Sequence, residues 1–115
     1  MDPLTNRSCE ACRVGAPIVT PEQIRELLPQ IPAWRIVREQ EIDRLLRDFA
    51  FPDFAAALEF TNRVGAIAEA EGHHPALLTE WGRVTVRWWT HKIKGLHVND
   101  FIMAAKTDEL LRASK

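Results

Sequence analysis

Imidazole is the one side chain whose ordinary pKa, about 6.5, lets it give or take a proton close to neutrality. The chain has four histidines, and two of them are adjacent in Glu69-Ala70-Glu71-Gly72-His73-His74-Pro75, where its longest amphipathic run stops. A third, His91, ends an apolar, strand-like run, and Asp100 stands just ahead of another helical run. Glu69 precedes His73 by four residues, one helical turn, so a hydrogen bond or charge coupling between these two is expected. Acid and base groups that converge from several junctions are how proton-transfer sites are commonly built. The plain alternative for a His-His dipeptide is a pair of exposed loop residues. The company of Glu69, His91 and Asp100 favours a site over that alternative.

Three histidines and a carboxylate are also a ligand set for zinc or iron. Adjacent histidines are awkward ligands for one ion, and no H-x-x-x-H or H-E-x-x-H lies on a helix face to support them. A metal site is therefore the less favoured reading. His97, after Gly95-Leu96, reads as a solvated or capping residue. Trp81 is a candidate wall for a flat aromatic ligand, while Trp88 and Trp89 read as core and interface area. The sequence has no Gly-rich phosphate loop, nucleophile elbow or catalytic cysteine motif, which argues against nucleotide hydrolysis and acyl transfer.

The elements that must position these groups follow from periodicity. Thr20-Pro21-Glu22-Gln23 is an N-cap with proline at the first helical position, and Ile24, Leu27 and Leu28 give that short helix an apolar side. Pro29 and Pro32 stop it. Residues 34–39 and 42–51 read as a strand pair in which Leu45, Phe49 and Phe51 share a face. A helix over 41–48 is the alternative, since its leucines also fit a 3.6 period. The main helix starts at Pro52 or Asp53 and is expected to bury Phe54, Ala57, Leu58, Thr61, Val64, Ile67 and Ala68 as one stripe. Gly72 and Pro75 end it. Residues 77–81 and 83–91, joined through Gly82, form a second strand pair. In its second strand Val84, Val86, Trp88 and Thr90 point one way, and Thr85, Arg87, Trp89 and His91 the other. A last helix from about residue 98 has Phe101, Ile102, Ala105, Leu110 and Leu111 for its apolar side.

This order, α-β-β-α-β-β-α, predicts an α+β fold: a four-stranded antiparallel sheet with helices packed on one face. The domain reading is an irregular leader over 1–19 and a single domain over 20–115. The chain is 115 residues long, 46% hydrophobic and 27% charged, with a formal net charge of -1. That is enough for one core, and without a basic stripe interleaved with aromatics there is no electrostatic case for nucleic-acid binding. No apolar run approaches the roughly 20 residues a membrane span needs. The N-terminus lacks the layout of a signal peptide, so the cytoplasm is the expected compartment. Cys9 and Cys12 form a lone C-x-x-C in the leader, and a redox role or a zinc shared between chains is the functional alternative to none.

The spacing Glu69-x-x-x-His73-His74-Pro75, five residues, Trp81, nine residues, His91, eight residues, Asp100 resembles the signature of the pterin-4a-carbinolamine dehydratases. Thr90-His91, Gly95-Leu96, Asn99-Asp100-Phe101-Ile102 and Ala104-Ala105-Lys106 extend the resemblance, and the leader around Cys9 to Arg13 is similar to bacterial members. Trp81 and Gly82 stand where many members have tyrosine and asparagine. The resemblance implies a lyase that removes water from a 4a-hydroxytetrahydropterin and gives the quinonoid dihydropterin, within tetrahydropterin recycling. It implies that His73 and His91 exchange protons with the pterin and that His74 serves binding and proton transfer. Glu69 would orient His73, and Asp100 would anchor the site near His91. No cofactor is implied. The implied partners are the pterin, a second copy of the chain in a homodimer or homotetramer, and an aromatic amino-acid hydroxylase. A non-catalytic role as a dimerisation, assembly or transcriptional cofactor on the same fold is the alternative; loss of one of the three histidines would favour it, and all three are present.

Overall fold

The computed structural model describes residues 18–113. Apart from Ile18 and Val19, the expected leader, with Cys9 and Cys12, lies outside these residues. The elements run α1 (Pro21–Leu27), a short 3₁₀ turn (Leu28–Gln30), β1 (Arg35–Glu39), β2 (Ile42–Ala50), α2 (Phe54–Glu71), β3 (Ala76–Glu80), β4 (Arg83–Trp88) and α3 (Val98–Ala113). The fold is α+β in the expected order. The Thr20 capping box is closed in both directions: the Gln23 amide donates to Thr20 Oγ1, and the Thr20 amide donates to Gln23 Oε1. Among the described residues no helix is long and apolar enough to cross a membrane.

All neighbouring strands pair antiparallel, in the order β1-β2-β4-β3. The two hairpins therefore join through their second strands, and β2 and β4 form the centre. Segment 42–50 is a strand and not the alternative helix, and Leu45 and Phe49 stand on one face opposite Trp88 and Val84 and are buried with them. A helix would also keep residues four apart on one face; what it could not do is pair along both edges, as this segment does with β1 and with β4. The helices α2 and α3 cover that face, and α3 contacts both α2 and the central strands. Its first turns are buried all round, from Phe101 through Ala105. The alternation expected for β4 holds: Val84, Val86, Trp88 and Thr90 are buried toward the helices, whereas Trp89 is half-buried and His91 exposed on the other side.

The buried stripe of α2 differs from expectation. Ala57, Phe60, Val64 and Ala68 face the core, whereas Phe54 and Leu58 are 45% and 43% exposed. Phe60 displaces them because its ring meets both Phe49 and Phe51 of the sheet, at centroid distances of 4.7 and 5.1 Å. With about 100° of rotation per residue, centring the stripe on Phe60 and Val64 turns Leu58 roughly 140° away. Val19 extends the core past the expected start of the domain. It is buried, and its amide donates to the Leu96 carbonyl at 2.9 Å.

The end of α2 sets up the site. Gly72 takes the left-handed conformation (φ 63°, ψ 31°), the Gly72 amide donates to Glu69 O, and the His73 amide reaches back to Ala68 O at 3.1 Å. This Schellman-type closure satisfies terminal carbonyls and reverses the chain direction within one residue. A Cβ at Gly72 would meet nothing within 4 Å, so the requirement for glycine is purely conformational. Gly72→Ala is accordingly expected to cost about 1–2 kcal/mol through backbone strain alone. A urea-unfolding midpoint equal to that of the parent protein would contradict this account of the turn.

Candidate active site

Beyond the left-handed turn, His73 and His74 leave in different directions. His73 turns inward and is 5% exposed, with its ring stacked on the Trp88 indole at 5.8 Å and an interplanar angle of 17°. Its Nε2–H donates to Asp100 Oδ1 at 2.7 Å. His74 turns outward, where its Nε2–H donates to Glu69 Oε1 at 2.6 Å between two exposed side chains. The expected Glu69–His73 pair is therefore corrected: the helical spacing that predicts it ends at Gly72, and the partner of Glu69 is His74. Because the Glu69–His74 contact lies in solvent, it orients the ring more than it stabilises the fold.

Asp100 is wholly buried in the first turn of α3. Besides His73 it accepts, at Oδ2, the Thr90 hydroxyl at 2.8 Å and the His97 amide at 2.9 Å. A carboxylate oxygen accepts, so the His73 ring nitrogen Nε2 is the donor of this pair. Asp100 is thereby hydrogen-bonded to Thr90, the residue that precedes His91. His97 caps α3, its Nδ1 accepting the Asn99 amide at 3.0 Å, and it does so buried and not solvated.

His91 lies just beyond β4 on the open side of the sheet. Its Nε2–H donates to the His74 carbonyl at 3.2 Å, and its ring lies 4.4 Å from that of Trp89. Gly72, His73, His74, Thr90, His91 and Lys92 line one cavity of about 250 Å³. The structure thus brings together all three predicted histidines, with Asp100 behind His73 and Glu69 behind His74. It does not bring Trp81 there: Trp81 is 74% exposed at the β3–β4 turn, the far end of the hairpin from His74. Among the described residues no group of three or more His, Cys, Asp or Glu side chains is arranged to hold a metal ion.

Thr90, Trp88 and Lys92 belong to the site but were not singled out from sequence as site residues. Thr90 shares a face with Trp88 by the two-residue period, yet nothing local shows that its hydroxyl meets a carboxylate ten residues later. Lys92 is a surface lysine by every local criterion.

The family described as Pterin 4 alpha carbinolamine dehydratase matches residues 17–110. A protein of Nitrosococcus oceani, provisionally named a pterin-4-alpha-carbinolamine dehydratase, is 62% identical over 112 residues, covering 97% of this chain and 99% of its own. A protein of Syntrophotalea carbinolica with the same provisional name is 62% identical over 111 residues, covering 96% and 99%. The crystal structure of a transcriptional coactivator/pterin dehydratase from Brucella melitensis superposes with a TM-score of 0.73 at 28% identity, over 82% of this chain and 98% of that one.

The three hydrogen bonds to Asp100 make a direct prediction. Asparagine keeps one acceptor oxygen but turns an NH₂ toward donors, so Asp100→Asn is expected to lose about 1.5–3 kcal/mol of stability, the range for hydrogen bonds to a charged group. Thr90→Val, which removes one neutral donor, is expected to lose less. Urea unfolding of the two variants checks the order, and equal losses would contradict the central place given to the carboxylate.

Proposed function

The chain belongs to the pterin-4-alpha-carbinolamine dehydratase family, and on that premise we propose that it removes water from a 4a-hydroxytetrahydropterin by proton transfer at histidine. The observation that carries this reading is the convergence of His73, His74 and His91 on one cavity, with the buried carboxylate of Asp100 fixing the first of them. The reaction breaks the C4a–O bond as the hydroxyl takes a proton and leaves as water. N5 loses its proton, and the electron pair left behind forms the C4a=N5 double bond of the quinonoid dihydropterin. One group must give a proton and another must take one, which two imidazoles on one cavity can do. Each positioned acid or base typically contributes ~10²–10⁴-fold.

In this reading His73 and His91 exchange protons at the pterin, and His74, oriented by Glu69, serves binding and proton relay. Burial of His73 and its stack on Trp88 leave the ring little freedom, which supports a proton-transfer role in a fixed geometry. The cavity is somewhat smaller than the ~300–1,000 Å³ of drug-sized ligand sites. That suits a site that holds the bicyclic ring and leaves its substituent outside. The substrate would come from a pterin-dependent aromatic amino-acid hydroxylase, and a reductase would consume the product.

Self-association belongs to the same reading. Phe54 and Leu58 on α2, Leu78 on the edge strand β3 and Trp81 at its turn are large apolar side chains left in solvent, and exposed apolar surface and free strand edges favour pairing. Sedimentation velocity is expected to give a dimer or tetramer; a monomer at all micromolar concentrations would remove this part of the proposal.

The activity is tested by following, in the ultraviolet, the decay of enzymatically generated 4a-hydroxytetrahydropterin. The protein is expected to accelerate decay at catalytic concentration, and His73→Ala or His91→Ala to lower kcat by ~10²–10⁴-fold with an unchanged circular-dichroism spectrum. Parent-like turnover in either variant would sink the assignment of that residue. No acceleration by the folded parent protein would transfer the weight to a binding role, in line with the Brucella relative, described as a transcriptional coactivator/pterin dehydratase.

A further inference from the structure

The open face of the sheet carries a buried cation that the reading above does not use. Arg44 lies on the central strand β2, next to Leu45, whose partner Trp88 is the last paired residue of β4 and precedes Trp89. Its guanidinium carbon sits 4.1 Å from the centroid of the Trp89 ring, and that ring is 4.4 Å from the His91 imidazole, tilted by 40°. Cation, indole and imidazole are thus in successive contact, and the imidazole lines the cavity.

Arg44 is 8% exposed and incompletely paired. Its Nη2 donates to the Glu39 carbonyl and to Gln40 Oε1, both at 3.2 Å. Among the described residues its Nε is a buried side-chain nitrogen without a hydrogen-bond partner, the nearest carboxylate oxygen, Glu39 Oε1, being 3.9 Å away. Glu39 is committed elsewhere, since Arg87 donates to both of its oxygens at 2.8 and 3.3 Å. Those hydrogen bonds, ahead of the nearby charges of Arg87 and Arg44, hold the Glu39 carboxyl below its ordinary value against the opposing effect of burial. It therefore stays anionic near neutrality and keeps Arg44 in place. A buried cation whose hydrogen bonds are incomplete is costly for the fold. Beside the Glu39 charge, its other favourable contact is the face of Trp89.

His91 needs such support. The β4 ladder ends at Trp88, only an isolated bridge from Thr90 to Gly95 follows, and the His91 side chain is exposed. Its Nε2 is held by the His74 carbonyl, but one hydrogen bond leaves the ring free to rotate about it.

We propose that Trp89 and Arg44 are positioning residues for His91: the indole supports the imidazole, and the guanidinium fixes the indole. The inference rests on the role given to His91 under the proposed function. A misplacement of about 1 Å can cost ~10²-fold in rate, so Trp89→Leu is expected to lower kcat roughly 10–100-fold while KM changes little. Trp89→Phe, which restores an aromatic plate, is expected to recover most of the loss. Arg44→Met is expected to fall between the parent and Trp89→Leu, and Arg44→Lys to stay closer to the parent.

A readout independent of activity accompanies these. In ¹³C-histidine-labelled protein the His91 ring protons, assigned with His91→Gln, are expected upfield through the ring current of Trp89. They should move toward exposed-histidine values in Trp89→Leu and also in Arg44→Met, where the indole itself is intact. An upfield resonance that moves in both variants, in a protein without dehydratase activity, would uphold these contacts and overturn the enzyme reading. An active parent whose His91 resonance and kcat are unchanged in both variants would overturn the positioning role.

Discussion

Asp100 is wholly buried and accepts hydrogen bonds from three separate parts of the chain: the His73 imidazole after α2, the Thr90 hydroxyl after β4, and the His97 amide at the entry to α3. A carboxylate removed from water is strongly unfavourable unless such donors surround it. Each donor must therefore arrive together with the others, and the closure of the core and the assembly of the site become one event. The surrounding structure makes this possible. Trp88 donates to Thr107 within α3, while Trp34 and Arg47 both donate to the next residue, Asp108, so α3 is held there as well as at Asp100.

The consecutive indoles of β4 divide the work. Successive side chains of a strand point to opposite faces, so Trp88 enters the helix-covered core and Trp89 the open side. His73 stacks on the first and His91 contacts the second. The two histidines thereby reach the same cavity from opposite sides of the sheet. One imidazole is locked by burial and a carboxylate, and the other stands in solvent with an aromatic support. Both lie where strands and helices end, where the backbone can aim a side chain into a cleft without breaking a ladder.

The legible parts of the sequence were those written in local chemistry. The capping box at Thr20, the Asp53 cap whose Oδ1 accepts the Ala56 amide, and the left-handed Gly72 fixed helix ends within a residue or two. The two-residue period of β4 assigned each side chain to its face. What was misread depended on contacts between elements. Phe60 and not Leu58 is buried because Phe49 and Phe51 wait on the sheet. Glu69 meets His74 because one left-handed residue, Gly72, ends the helical geometry on which the pairing with His73 rested. Trp81 matched a motif position, yet its hairpin turn carries it to the end of the sheet remote from the histidines.

The element order, the α+β class and the choice of three candidate histidines are all legible along the chain. Periodicity, caps and a long motif are properties of neighbouring residues, and they survive without a tertiary structure. Packing between elements is what assigns each carboxylate to its histidine, completes the shell of Asp100 with Thr90 and the His97 amide, and lays Arg44 over Trp89 beside His91. Those pairings join residues far apart in the chain, among them Arg44 and Trp89 on strands from different hairpins. Strand register and helix docking fix them, and no local pattern encodes either.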